Sequence, residues 1–207
     1  MTALLASPNP FEREQAVDIL RILLHPIKPL SLSTAFMLRF CMIPHMSSSQ
    51  GISLPQRLVD CVAQIENSQR RLHGTNVFHT WYKALSYPAR HKFLIAMLQS
   101  CINGNALYLI MMWIKDDILA TRTQFAAQKY FTGPHLRTLM FAVMSYNNGA
   151  SPLLEFDRWM AALNLCRFTL LFGRGAVVEV RLPQQINNRV YSYAIVTIDQ
   201  CQLNFFF

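Results

Sequence analysis

The chain has 207 residues, 52% of them apolar and only 14% charged, with a formal net charge of +8 and a pI near 9.5. That is long enough for one ordinary domain with a buried core, and the apolar content excludes a disordered chain. The basic balance favours an anionic partner such as RNA, acidic protein or anionic lipid, and scarce charge leaves surface for partner or membrane contact.

The N-terminus has a short apolar run without a basic region, followed at once by Glu12 and Glu14, so a secretory signal is not expected. Cys41, Cys61, Cys101, Cys166 and Cys201 form no C-x-x-C pair and lie mostly in apolar runs, which reads as a reduced, cytoplasmic protein. Asn9-Pro10-Phe11-Glu12 predicts a helix start, with Asn9 capping and Glu12 at the third helical position, and His25-Pro26 ends that helix. A second apolar helix is expected from about Ser33 to Met42. These helices, residues 1–44, form an N-terminal part, and residues 45–53 are the best linker candidate.

A helical domain is expected over 54–172. It opens with an amphipathic helix from Leu54 through Leu72, closed by Gly74, after which Asn76 caps a short helix carrying Phe78, Trp81, Tyr82 and Leu85. Ser86-Tyr87-Pro88 starts the next helix, Asn103-Gly104-Asn105 is a turn, and a helix with Leu107 to Leu119 precedes a polar stretch from Arg122 to Lys129. Gly133-Pro134 and Ser151-Pro152 start two more helices. From Gly173 the pattern changes to alternating and β-branched residues, predicting a β-hairpin in 173–207. The expected fold is therefore mainly α, a multi-helix bundle with a C-terminal β-hairpin.

The uncharged run from Phe93 to Ile114, flanked by Lys92 and Lys115, has the length of a membrane span. Gln99, Ser100 and Asn103-Gly104-Asn105 interrupt its middle, where polar groups cost most in hydrocarbon, so a buried helical hairpin is preferred to residues 93–114 crossing or lying in a bilayer. The neighbouring residues carry a family signal. Trp81-Tyr82-Lys83-Ala84-Leu85-Ser86, then Arg90, Phe93-Leu94, Leu98, Cys101-Ile102 and Leu107 resemble the N-terminal helical module, of PHAT type, in the CCHC zinc-knuckle proteins related to Smaug. The resemblance covers about a fifth of the chain, carried mainly by residues 77–117. It implies a pseudo-HEAT-like helical module, with Trp81, Leu85, Ser86, Phe93, Leu94, Leu98 and Cys101 as a structural signature, and recruitment of noncanonical poly(A) polymerases or repressor complexes. It also implies a truncated start of a PX-like domain in the hairpin. The family's zinc knuckle and SAM domain have no counterpart in the sequence, which puts direct RNA-hairpin reading in doubt.

Catalytic and metal chemistry find no pattern. His79 and His91 lack a ligand partner at i+3 or i+4 and read as surface or helix-end histidines; Asp116-Asp117 point in different directions on a helix and read as solvated; Gly173-x-Gly175 precedes a strand and is a turn. No enzyme and no cofactor is expected. Arg57, Arg70, Arg71, Lys83, Arg90 and Lys92 are opposed within residues 57–92 only by Asp60 and Glu66, so they are candidates for one basic face, with Tyr82 and Tyr87 to stack on exposed bases. The abundant methionines suit either a partner-binding surface or a core. The expectation is a noncatalytic adaptor in post-transcriptional mRNA regulation that docks protein partners and touches RNA through this face. The competing expectations are a membrane-associated protein and a helical nucleic-acid-binding protein of viral type; self-association stays open.

Overall fold

A computed structural model of the chain describes residues 2–41, 54–100, 104–144 and 152–172. They are mainly helical: α1 (Thr2–Leu5), α2 (Pro10–Leu24), α3 (Thr34–Cys41), α4 (Leu54–Ala63), α5 (Ser68–Ala84), α6 (Tyr87–Ser100), α7 (Gly104–Ala120), α8 (Phe125–Phe131), α9 (Gly133–Met144) and α10 (Pro152–Phe172). The expected linker at 45–53 and the hairpin in 173–207 lie outside the described residues. Among the described residues, no helix is long and apolar enough to cross a membrane. The run from Phe93 to Ile114 is shared between α6, which ends at Ser100, and α7, which begins at Gly104.

The chain divides into two compact units, Met1–Ile110 and Met111–Phe207. In the first, α2 packs on α5, α1 on α2 and α4, α4 on α5, and α3 on α6. The helices of residues 1–44 thus share one packed body with α4 to α6. Its centre is aromatic. Trp81 meets Phe93 edge-on at 5.0 Å between ring centroids, Phe78 stacks on Trp81 at 5.9 Å, and Tyr82 and Phe78 also reach Phe93. Aromatic pairs at such separations add attraction beyond the area they bury. Leu85, Leu94 and Leu98 are fully buried around them. In the second unit α9 packs on α8 and α10, burying Phe131, Leu136, Leu139 and Leu165. Arg122 donates to the Phe172 carbonyl at 2.9 Å, closing the end of α10, and Lys115 lies over the Phe168 ring.

Local chemistry explains where the helices start. The Asn9 side chain accepts from the Phe11 N–H at 3.0 Å. The expected reach of Glu12 back to the cap is relayed through Ser7, whose hydroxyl accepts from the Asn9 N–H and donates to the Glu12 carboxylate at 2.6 Å. The break expected at Gly74–Asn76 lies instead at residues 64–67. Asn67 caps α5, accepting from the N–H groups of Gln69 and Arg70, and α5 runs unbroken through Gly74. Gly74 serves packing: a Cβ there would stand 2.8 Å from Val62 Cγ2, so glycine lets α4 and α5 approach. The stretch expected to be polar, Arg122 to Lys129, holds most of α8, because Ala127 and Phe131 bury on one side of it.

Between α2 and α3, Leu30 has φ of 62°, a left-handed conformation that is strained for a residue with a side chain. It turns the segment so that the Leu30 N–H reaches the Lys83 carbonyl and Leu32 forms a parallel bridge with Leu85. The α2–α3 connection is thereby tied to the α5–α6 junction.

Candidate docking surface

Of the eight residues expected to form a basic, base-stacking face, three lie in the core. Tyr82 is fully buried, and Tyr87 and Arg90 nearly so, which takes their rings and guanidinium out of reach of a nucleic acid. Arg90 closes the C-terminal end of α5. Its Nε donates to the Leu85 carbonyl at 2.9 Å and its Nη2 to the Lys83 carbonyl at 2.7 Å, while its guanidinium lies over the Tyr82 and Tyr87 rings. A planar, permanently charged fork suits this position, since it satisfies two helix-end carbonyls at once and stacks on aromatic faces.

The remaining cations differ in their surroundings. Arg70 is exposed yet faces Glu14 and Asp18 of α2, each at 3.7 Å, and Asp18 also meets His73 at 3.1 Å. These two carboxylates come from outside the stretch 57–92, so a local charge count misses them. Arg57 is half-buried near Asp60, whose carboxyl is pushed up by burial and pulled partly back by that guanidinium. Lys83 is half-buried and Lys92 exposed. His91 is buried and His79 half-buried, rather than both lying on the surface; Asp116 is exposed whereas Asp117 is buried and partnered. Among the described residues no group of three or more His, Cys, Asp or Glu side chains is placed to hold a metal ion. Met37, Met97, Met111 and Met140 are core, and Met112 is exposed.

Arg71 stands apart. Its Nη1 donates to the Ile65 carbonyl at 3.0 Å, bracing the α4–α5 connection, and the residue lines a cleft of about 600 Å³ in the first unit. The cleft is a trough: Val59, Val62 and Ala63 of α4 form one wall, Ser68, Arg71, Leu72, Thr75 and Phe78 of α5 the other, and Tyr108 and Leu109 of α7 complete it. Positions 68, 71, 72, 75 and 78 fall at three- and four-residue steps and share one face of α5. Leu72 is 56% exposed and Tyr108 59% exposed, large apolar groups left on the rim. Of these residues only Arg71 was legible as a binding candidate in the sequence. Leu72 fits the buried stripe of an amphipathic helix by periodicity, yet it stands exposed. No protein-family profile matches the chain, and no curated protein matches it at a significant level.

Proposed function

We propose that this chain is a noncatalytic helical adaptor that acts in the cytoplasm in post-transcriptional mRNA regulation, docking a protein partner in the α4–α5 trough. The observation that carries docking is the trough itself: a mostly apolar, open-sided cleft with Leu72 and Tyr108 on its rim. The mRNA context is supported by the resemblance of residues 77–117 to the helical module of the CCHC proteins related to Smaug. The pairing of α4 with α5, and of α5 with α2, suits the pseudo-HEAT-like arrangement implied by that resemblance. Of its described signature residues, Trp81, Leu85, Phe93, Leu94 and Leu98 are buried in the first unit and Ser86 is half-buried. Recruitment of a noncanonical poly(A) polymerase or a repressor complex follows from the same resemblance.

Protein docking is preferred to RNA contact because Tyr82, Tyr87 and Arg90 are buried and Arg70 is opposed by two carboxylates. Tethering the full chain to a reporter mRNA tests the proposal. Reporter abundance or poly(A)-tail length is expected to shift relative to the tether alone; a folded, expressed fusion that changes neither overturns it.

A further inference from the structure

Resting on the adaptor reading above, we infer that the α4–α5 trough receives an amphipathic helix of a partner protein, with apolar side chains in the cleft and an acidic residue paired to Arg71. Three observations point to that occupant. The trough runs between two packed helices, and its α5 wall from Ser68 to Phe78 is about 15 Å long, the rise of ten helical residues. A helix laid along it meets the periodicity presented by the wall, which is how amphipathic helices enter apolar grooves.

The interior is apolar where the occupant would be covered, through Val59, Val62, Phe78 and Leu109. The large exposed side chains, Leu72 and Tyr108, sit at the margin, where they become buried once the trough is filled. The third observation is charge. Arg71 is the charged member of the lining, and of its five N–H donors one is given to the Ile65 carbonyl, so the guanidinium keeps donors for a carboxylate. The hydroxyls of Ser68 and Thr75 add polar contacts without charge, and Thr75 already donates to the Arg71 carbonyl at 3.0 Å. An acidic helix is also the partner that a chain of net charge +8 attracts at long range.

The test uses the folded full chain and a displayed library of random peptides about fourteen residues long, four helical turns. Enriched peptides are expected to share apolar residues at three- and four-residue spacing with a Glu or Asp beside them. One such peptide, resynthesised with a fluorophore, is then titrated against wild type, Arg71→Glu, Leu72→Glu and Tyr108→Ser. All three sites are exposed, and circular dichroism checks that each variant keeps its fold. Each variant is expected to weaken binding at least about tenfold, and replacing the peptide's acid by its amide is expected to cost affinity for wild type but not for Arg71→Glu, the signature of a coupled pair.

The inference is overturned if no peptide is enriched, if the enriched peptides lack an acid, or if affinity survives Leu72→Glu and Tyr108→Ser. It is also overturned if Leu72→Glu abolishes a dimer of this chain, or its co-sedimentation with anionic vesicles, since the occupant would then be a second copy or a lipid surface. A tethered chain that regulates its reporter while the trough binds no peptide leaves the adaptor function standing and moves its docking surface elsewhere. A trough that binds peptide in a chain without effect on the reporter keeps the site and removes mRNA control.

Discussion

Gly74→Ala separates two readings of one residue. Within a continuous helix, alanine in place of glycine gains about 1 kcal/mol from propensity alone. The new methyl at Gly74, however, would stand 2.8 Å from Val62 Cγ2 and 3.4 Å from Val62 Cγ1. Val62 is β-branched and has little freedom to rotate away, and overpacking of this kind costs about 1–3 kcal/mol. The single variant is therefore expected to lose about 1 kcal/mol net. Val62→Ala removes two methyl groups from a buried position and is expected to lose about 2 kcal/mol. In the double variant the overlap is gone, the propensity gain remains and the added methyl fills part of the space, so the loss is expected to be about 1 kcal/mol where simple addition gives about 3. That coupling of about 2 kcal/mol is measurable by urea denaturation of the four proteins followed by circular dichroism. Losses that add to within about 0.5 kcal/mol, the level seen for independent sites, would refute the close α4–α5 contact and return Gly74 to the role of a helix terminator.

The other predictions concern buried polar groups and thiols. Arg90→Met strips two helix-end carbonyls of a charged donor and is expected to cost about 3 kcal/mol in denaturant unfolding; Arg90→Lys, which cannot span both carbonyls, falls between, and a methionine variant as stable as wild type would contradict the cap. Burial pushes the Asp60 carboxyl up, so the fold disfavours its ionised form, and its contribution to stability falls as pH rises from the ordinary carboxylate range through the folded-state value. Asp60→Asn is accordingly expected to gain on wild type as pH is raised through that window, read as a growing difference between their unfolding midpoints; a variant that loses ground there speaks against the assignment. Burial pushes the Cys166 thiol up to about 11, so iodoacetamide at about pH 8.5, where an unperturbed cysteine is half ionised, is expected to label it far more slowly in the native chain than in the unfolded one. Mass spectrometry of labelled peptides reads the rates, and equal rates would place Cys166 in solvent.

What was legible in the sequence was local. Asn9-Pro10, Gly133-Pro134 and Ser151-Pro152 mark helix starts because a cap and a proline act within one turn, and α2, α9 and α10 begin there. The buried stripe Phe93, Leu94, Met97 and Leu98 follows from spacing within one helix. What was not legible depended on residues far along the chain. The role of Gly74 is fixed by Val62 across a helix pair, and the charge of Arg70 is opposed by Glu14 and Asp18, more than fifty residues earlier. Arg90 reads as a surface cation until the Tyr82 and Tyr87 rings are seen against its guanidinium, and the same burial removes the two rings proposed for base stacking. The trough was hidden for a related reason: it is a space between elements, and Leu72 fits the pattern of a core residue while standing on a rim. The Asn67 cap is hard to read from the sequence because Ser68, Gln69, Arg70 and Arg71 follow it, a polar turn that resembles the middle of a solvated helix as well as its start.

Docking through the trough is tested most directly by purifying the full chain and its Leu72→Glu variant from cells under matched expression, with and without ribonuclease, and quantifying the copurifying proteins. A poly(A) polymerase or repressor subunit that survives ribonuclease and is lost from the folded variant is the predicted result. Partners that the variant retains in full, or that ribonuclease releases from both chains, would contradict protein docking at this site.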